Sequence, residues 1–280
     1  MNKRGENYQF EMSSPITAEK SCSRLSTHLT YGTISHRTVF QEAAKKRDLI
    51  KHTNKNFAKS INSFLSRLHW RSHFIQKLED QPSIEHTSFI PVYDQIREKD
   101  EEKLEAWIEG KTGVHFIDAC MIYLRNYGWI NFRMRAMLAS FASYNLWLDW
   151  RYFAPRLAAL FTDFEPGIHY SQIQMQSGTT GINTIRMYNP YKQAMDQDPL
   201  AKFIKSQIPK VKNFPPAFFH NPPKKSLNVN LFDNEFQKEI INVKETAQYA
   251  RKKIFDIRKS PEHKMLAKNV YLKHGSRGRN

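Results

Sequence analysis

The 280-residue sequence has only two cysteines, Cys22 and Cys120. Two cysteines are too few for a four-cysteine iron–sulfur cluster, and they argue against a fold held together by disulfides. The amino terminus has no apolar segment typical of a secretory signal, and no apolar run is long enough to span a bilayer. We therefore expect a cytoplasmic protein in a reducing compartment, with no membrane partner.

The sequence also lacks a convincing alternation of apolar and polar residues, which is the pattern of a half-buried strand, and it has no internal repeat. Helical spacing dominates instead, as in residues 56–78, where the apolar positions are Phe57, Ile61, Phe64, Leu65, Leu68 and Ile75. We predict an all-α fold with residues 1–280 in a single helical domain. Residues 1–20 are expected to form a loop-like lead-in, and residues 251–280 a basic tail.

Acidic residues are scarce relative to basic ones, since 27 Asp and Glu face 43 Lys and Arg and the formal net charge is +16. Such a charge favours polyanionic partners, nucleic acid first and an acidic membrane surface second. A soluble basic protein without such a partner stays an alternative. The tail over 251–280 carries ten Lys and Arg against Asp256 and Glu262, which is typical of a solvated face or of a supporting DNA or RNA contact.

A metal site is not expected. His69 and His73 lie four residues apart and can share one face of a helix. No glutamate or third ligand accompanies them, unlike the H-E-x-x-H arrangement of zinc enzymes. We interpret them as a surface or DNA-facing pair.

The stretch from Gly128 to Pro190 carries the most chemistry. It begins as a long helical pattern with aromatics and arginines, turns an acidic corner, and continues into a small, hydroxyl-rich loop over residues 177–184. Arginines, carboxylates and such a loop against aromatic walls suit a flat, negatively charged cofactor with polar edges. Upstream, Ser23, Arg24 and Ser26 begin another helical pattern, where they predict either a phosphate contact or ordinary helix capping.

The spacings in this stretch resemble the FAD-binding half of the photolyase/cryptochrome family, whose pattern is GW-x-x-x-R-x-R-M, DWR, an acid-x-acid corner and R-x-F/Y-N-P. The matching residues are Gly128, Trp129, Arg133, Arg135, Asp149, Trp150, Arg151, Asp163, Glu165, Arg186, Tyr188, Asn189 and Pro190. The family's N-terminal α/β antenna domain has no counterpart here. We therefore expect a split or truncated gene product, with a separate antenna-domain chain as partner, or a short form without an antenna; the oligomeric state is not predicted.

The resemblance implies a helical domain that binds a U-shaped FAD, with Arg135 paired to Asp163 beside the isoalloxazine ring. Residues 22–26 correspond to the family's diphosphate-binding T/S-S-R-L-S, with Cys22 in place of the usual hydroxyl. His169 stands where the family varies the residue that faces flavin N5, and we expect it to titrate near neutrality. The complete set of expected FAD contacts is Tyr8, Ser23, Arg24, Leu25, Ser26, Phe64, Arg71, Phe132, Arg135, Asp163, Glu165 and His169.

The resemblance further implies light-driven repair of pyrimidine dimers in UV-damaged DNA, single- or double-stranded, by a lyase of the photolyase type. Trp70 is expected to stack on an extruded base. Two departures alter that site: Arg67 stands where many members have a dimer-contacting acid, and Met175 stands where they have a second base-packing Trp. Arg186 completes the expected DNA contacts.

The expected electron route to the flavin is also altered. Trp150 matches the middle tryptophan of the family's three, whereas Ile173 occupies the place nearest the flavin. Together with the altered dimer site, this keeps two alternatives open. One is a cryptochrome-like blue-light receptor that binds FAD without repair, and the other is a nucleic-acid-binding paralogue without flavin.

Overall fold

A computed structural model describes residues 4–222 and 238–275 of the chain. Within these residues no strand is formed, and the only strand-like feature is an isolated bridge between Glu98 and Leu148. The all-α prediction is therefore confirmed. The ends of the predicted lead-in and tail, residues 1–3 and 276–280, lie outside the described residues. In the part that the structure covers, no helix is both long and apolar enough to cross a membrane.

The helices of the described residues follow one another with short connections. Their bounds are α1 Tyr8–Glu11, α2 Pro15–Ser21, α3 Ser26–Thr30, α4 His36–Ile50, α5 Lys55–Asp80, α6 Glu101–Glu109, α7 His115–Tyr127, α8 Phe132–Ser140, α9 Trp150–Ala158, α10 Pro166–Ser177, α11 Pro190–Gln197, α12 Lys202–Gln207, α13 Pro216–His220, α14 Val243–Lys259 and α15 Pro261–His274. Short 3₁₀ turns cover Pro82–Glu85, Pro91–Tyr93 and Pro209–Val211, and a π-helical segment covers Phe141–Asn145.

The longest helix, α5, packs against helices from both the beginning and the middle of the chain. The side chain of Asn54 begins it by accepting a hydrogen bond from the Phe57 N–H at 3.0 Å, which satisfies one of the free donors of the first turn. Its apolar face, including Ile61 and Leu68, packs with α4, while α10 and α1 also border it. Residues of α5 outside these contacts, such as Arg67 and Trp70, stay exposed and are available to line a cavity.

The main core lies around α6 to α9 and is rich in aromatic residues. Trp107 and Phe153 are fully buried there and meet edge to face, with ring centroids 5.6 Å apart, an arrangement that adds to the energy of burial. Between α8 and α9 the chain widens into the π-helical segment, which buries Ser143 and Tyr144. A π-helical turn shifts the register of the side chains that follow it.

The lead-in is not loop-like, so that part of the prediction is wrong. Residues 8–11 form α1 and residues 15–21 form α2. Proline at the first helical position and Ser14 as N-cap, which accepts from the Ile16 N–H at 3.3 Å, together favour the start of α2. The polar composition of this segment describes its exposed face and gives little indication of its backbone.

The described part of the basic tail is helical and docks on the core through α14. The buried side chain of Asn145, at the end of the π-helical segment, donates from Nδ2 to the Val243 carbonyl at 3.1 Å and to Thr246 Oγ1 at 3.0 Å. These bonds occupy carbonyl and hydroxyl acceptors in the first turn of α14. The tail therefore forms part of the packed structure up to Gly275.

Gly128 ends α7 in the left-handed conformation, with φ of +64°, and the chain then turns directly into α8. A side chain at this position would place its Cβ only 2.4 Å from Thr162 Cγ2. Glycine is required at this position by the left-handed φ and by the close approach of the Thr162 side chain. The position of α8, and of the arginines on it, depends on this turn.

We expect Gly128→Ala to lower the free energy of unfolding by about 2–4 kcal/mol, because steric overlap adds to left-handed strain. Gly32→Ala is the matched control, since Gly32 has φ of +68° but no atom within 4 Å of the added Cβ. The control should lose only about 1 kcal/mol. Urea unfolding curves measure both values, and equal losses in the two variants would contradict the steric part of this explanation.

Candidate functional site

A cavity of about 680 Å³ opens between α5, α8 and α10, and residues 22–30 form a further wall. This volume is in the range of pockets that hold ligands of cofactor size. Of the seventeen residues predicted as site residues, fifteen line the cavity: Tyr8, Ser23, Arg24, Ser26, Phe64, Arg67, Trp70, Arg71, Phe132, Arg135, Asp163, Glu165, His169, Met175 and Arg186. The fold therefore brings together residues that lie far apart in the sequence.

Two predicted site residues lie outside the cavity lining. Leu25 packs instead with the apolar cluster between α4 and α5. Trp150 is buried in the core, where its Nε1 donates to Ser88 Oγ at 2.9 Å. Neither side chain therefore lines the cavity, and the expected FAD contact of Leu25 and the expected electron-transfer role of Trp150 stay predictions.

Arg135 and Asp163 form a bidentate ion pair in the cavity wall. Arg135 donates from Nη1 to Asp163 Oδ1 at 3.0 Å and from Nη2 to Oδ2 at 2.9 Å, and its Nε donates to the Ile130 carbonyl at 2.7 Å. Burial opposes ionisation of the Asp163 carboxyl, but the Arg135 charge, with hydrogen bonds from Arg135 and Ser26, holds its pKa below the usual value. The pair is consequently charged at neutral pH.

A second guanidinium–carboxylate pair lies near the first. Arg71 Nη2 donates to Glu165 Oε2 at 3.2 Å and to the Leu29 carbonyl at 3.2 Å. Only 14% of the Arg71 side chain and 20% of the Glu165 side chain are exposed, so the pair is largely protected from solvent. It connects the middle of α5 to the start of α10 across the cavity.

Residues 22–26 place several polar groups at one end of the cavity. Arg24 adopts a left-handed φ of 61°, and its guanidinium carbon lies 4.0 Å from the centroid of the Trp129 ring. A left-handed residue directly before a helix start turns backbone N–H groups toward one side, which suits an anion. Burial raises the pKa of the Cys22 thiol to about 11, so this residue presents a neutral S–H.

The open rim of the cavity is aromatic and basic. Trp70 is 41% exposed and stacks on Phe74 with ring centroids 5.5 Å apart. Across the rim, the guanidinium carbon of Arg67 lies 6.0 Å from the Phe132 ring. An exposed aromatic surface beside a cation is suitable for stacking a planar, negatively charged group.

His169 lies in the cavity wall and is almost completely buried. Its predicted titration near neutrality is wrong. Burial, above all, lowers its pKa to about 4, and the Arg135 charge acts in the same direction. Its Nε2 lies 3.0 Å from the Ala154 carbonyl, which can only accept a hydrogen bond. The proton therefore resides on Nε2, and Nδ1 is the acceptor atom of the neutral ring.

The hydroxyl-rich loop over 177–184 contributes less to the cavity than its composition indicates. Of these residues only Asn183 and Thr184 line it. Two of its hydroxyls are used within the protein: Thr179 Oγ1 donates to the Gln174 carbonyl at 3.2 Å, and Thr180 Oγ1 donates to Asn183 Oδ1 at 2.8 Å. Their role is to hold the turn after α10.

Sequence reasoning missed other lining residues. Phe161 faces Arg135, whose guanidinium carbon lies 4.2 Å from the ring centroid. Asn131 is fully buried and donates from Nδ2 to the carbonyls of Met12 at 3.0 Å and Ser13 at 2.7 Å. The only available signal for Phe161 was its position two residues before Asp163, which does not distinguish it from a core aromatic residue.

Comparison with known proteins agrees with this geometry. Residues 64–256 match the protein family described as the FAD binding domain of DNA photolyase. The deoxyribodipyrimidine photo-lyase of Halobacterium salinarum is 30% identical over 223 residues, which are 78% of this chain and 45% of that protein. Cryptochrome-2 of Gallus gallus is 27% identical over 77% of this chain and 37% of its own length.

A solved structure gives the same result. The archaeal photolyase of Sulfolobus tokodaii, determined with two FAD molecules, aligns with a TM-score of 0.73 and 30% identity. The alignment covers 88% of this chain and 52% of that protein. The chain therefore spans about half of the length of the relatives that it matches.

The depressed pKa of His169 predicts a pH-dependent contribution to stability. Its pKa is about 4 in the folded protein and about 6.5 when unfolded, so the unfolded chain binds the additional proton between these values. The stabilisation is complete above pH 6.5 and is lost as the pH falls toward 4. It amounts to on the order of 3 kcal/mol.

We therefore expect the free energy of unfolding of His169→Gln to fall less steeply between pH 6.5 and 4 than that of the unaltered protein. His52→Gln is the control, because His52 is exposed in the fold. Urea unfolding at several pH values measures the slopes. If His169→Gln and the unaltered protein gave the same slope, the buried neutral imidazole would be refuted.

Proposed function

Because the chain belongs to the photolyase/cryptochrome family and corresponds to its FAD-binding domain, we propose that it repairs pyrimidine dimers in DNA by a light-driven reaction that depends on FAD. One observation carries the proposal: Trp70 and Arg67 at the open rim and the Arg135–Asp163 pair in the wall belong to one cavity. A cofactor held by the wall can thus face a base held at the rim.

The residues of the cavity fit FAD in chemistry as well as in size. Ser23, Arg24 and Ser26 supply hydroxyl, cationic and backbone N–H donors for the diphosphate. The Arg135–Asp163 pair and Glu165 offer donors and acceptors for the polar edge of the ring system, and the aromatic walls cover its faces. Phe64 and Tyr8, whose rings meet edge to face at 6.2 Å, close the end of the cavity beside Arg67.

When bound and excited by light, FAD in its reduced form supplies the electron that splits the dimer. The chain's own residues bind and orient the reactants. Arg135 is held in the cavity wall by Asp163 and by the Ile130 carbonyl, and its guanidinium would favour an anionic ring system placed beside it. His169 stays neutral and keeps its proton on Nε2, which leaves Nδ1 as an atom that could accept a hydrogen bond from a bound cofactor.

The outer surface is suited to DNA. Arg67 and Arg186 line the cavity and can contact phosphate, and the net charge of +16 favours DNA over neutral ligands. A base extruded from the duplex loses stacking energy, and the exposed face of Trp70 can restore part of it. Met175 also lines the cavity and can provide an apolar, adaptable contact.

A cryptochrome-like photoreceptor is the second candidate. The lining of the cavity by Arg67 and Met175 favours it, since an acid and an aromatic residue are the usual dimer contacts at these places in the repair enzymes. The similarity to Cryptochrome-2 of Gallus gallus agrees with it as well. In this case FAD binding is retained, but dimers are not repaired.

The ion pair in the wall gives a test of FAD binding. We expect Asp163→Asn to lower the affinity for FAD at least tenfold, about 1.4 kcal/mol, because the amide leaves Arg135 as an unpaired charge and reorients its donors. The ratio of flavin to protein absorbance after dialysis and a fluorescence titration measure this loss. Asp48→Asn removes an exposed carboxylate paired with Arg47 and should retain FAD. Full FAD binding by folded Asp163→Asn would contradict the assigned role.

The repair reaction is tested with UV-irradiated oligonucleotides under blue light and in the dark. We expect loss of dimers only in the light, and we expect Trp70→Ala to weaken binding of the damaged strand by about 10- to 100-fold, since one stacking contact contributes about 1–3 kcal/mol. Tyr127→Ala, an exposed aromatic outside the cavity, should behave like the unaltered protein. No dimer loss in FAD-loaded protein would favour the photoreceptor.

A further inference from the structure

A second group of polar residues lies away from the large cavity, between the core and α14. Five buried side-chain atoms in this region have no hydrogen-bond partner within the described residues: Arg97 Nη1, Ser143 Oγ, Tyr144 Oη, Ser177 Oγ and Arg258 Nε. Buried polar atoms are nearly always paired, so such a group points to a bound species. We call these five residues the Arg97 cluster.

Arg97 lies at the centre of the cluster and is oriented by two backbone carbonyls. Its Nε donates to the Ser143 carbonyl at 3.0 Å, and its Nη2 donates to the Ser177 carbonyl at 2.7 Å. The guanidinium also lies 4.9 Å from the Trp147 ring and 5.6 Å from the Tyr144 ring. These two bonds fix the guanidinium plane and leave Nη1 without a partner among the described residues. The two carbonyls belong to Ser143 and Ser177, whose hydroxyls are the unpaired serine atoms of the cluster.

Tyr144 lies close to both arginines of the cluster. Burial raises the pKa of Tyr144 to about 12, so the hydroxyl keeps its proton, and both Arg97 and Arg258 act electrostatically on it. At Gly178 a Cβ would stand only 2.6 Å from this oxygen, which explains the absence of a side chain there. Two guanidinium groups and a phenolic O–H therefore share one buried region.

The positive charge of the cluster has no acidic partner at ion-pair distance. Among the described residues, neither Arg97 nor Arg258 forms a salt bridge. The carboxylate that acts on Arg97, Asp149, is itself paired with Arg151. An uncompensated cation in such a dry environment is unfavourable, and a bound counter-ion removes this cost.

We infer that the Arg97 cluster is a binding site for a small monovalent anion, with chloride as the natural occupant. Guanidinium N–H groups only donate, and the hydroxyls of Tyr144 and the two serines can all donate as well. An anion accepts from every one of them, whereas a water molecule can accept from two donors and needs acceptors for its own hydrogens. The burial of the cluster atoms favours a compact ion over an oxyanion of the size of phosphate.

The site has a structural consequence for the large cavity. Arg258 on α14 donates from Nη2 to the Asn183 carbonyl at 2.8 Å, and Asn183 lines that cavity. An anion bound between Arg97 and Arg258 connects α14 to the turn after α10. Occupancy of the site therefore stabilises the wall to which Asn183, Thr184 and Arg186 belong.

Thermal unfolding of the FAD-loaded protein tests the inference without DNA or light. At constant ionic strength, replacing gluconate with chloride should raise the midpoint saturably, by about 2–4 °C once chloride exceeds its dissociation constant several-fold. Tyr144→Phe keeps the ring and removes one donor, so chloride should bind it at least tenfold more weakly. Arg97→Met should abolish the response where it folds. Arg47→Met should retain it, because Arg47 is a partly exposed arginine that is paired with Asp48 and lies outside the cluster.

Crystals grown in bromide give a direct answer, because bromide replaces chloride and scatters anomalously. The inference predicts an anomalous peak within hydrogen-bond distance of Arg97 Nη1 and Tyr144 Oη. Ordered water at this place without anomalous signal, or equal midpoints in chloride and gluconate, would overturn it. These outcomes are separable from failure of the repair proposal, because neither measurement depends on a photochemical reaction.

Discussion

The bidentate pair between Arg135 and Asp163 is the interaction on which the rest of the site depends. It joins α8 to the turn before α10, and the Nε bond to the Ile130 carbonyl fixes the guanidinium in plane. Only 3% of the Asp163 side chain is exposed, so neither charge is tolerated without the other. The bidentate geometry compensates for desolvation, and the resulting wall determines where a cofactor can lie.

The charges of the cavity lining determine which charge of ligand is favoured. Its lining contains six arginines against two carboxylates; the arginines are Arg24, Arg67, Arg71, Arg133, Arg135 and Arg186. Asp163 and Glu165 are both already paired with arginines. The remaining cations face a concave, partly dry surface, where their field is stronger than in bulk water. An anionic ligand is therefore favoured, in agreement with the proposed contacts to a diphosphate and to a nucleic-acid backbone.

Much of the fold and of the site could be predicted from the sequence, and the exceptions have physical reasons. Helical spacing predicted the all-α class. The pairing of Arg135 with Asp163 was implied by the resemblance to the photolyase/cryptochrome family, and the structure contains that pair. Spacing does not encode the direction of a side chain, so it gives no indication that the Leu25 side chain packs with the apolar cluster of α4 and α5. The burial of His169 depends on packing with Phe161 and Phe164, and its near-neutral titration was therefore wrongly predicted.

The turn after α10 shows why such features escape a sequence reading. Its hydroxyls suggested ligand contacts, yet Thr179 and Thr180 are fully used in holding the turn itself. Hydrogen bonds from distant segments position its cavity-facing residues. Ser140 Oγ donates to the Arg186 carbonyl at 3.4 Å, and Arg258 donates to the Asn183 carbonyl. These contacts join α8, α14 and the turn, which are far apart in the chain. The rim that would meet DNA is thus positioned by the same core and the same helix, α14, that bury the Arg97 cluster. The stability of α14 therefore affects the shape of the site.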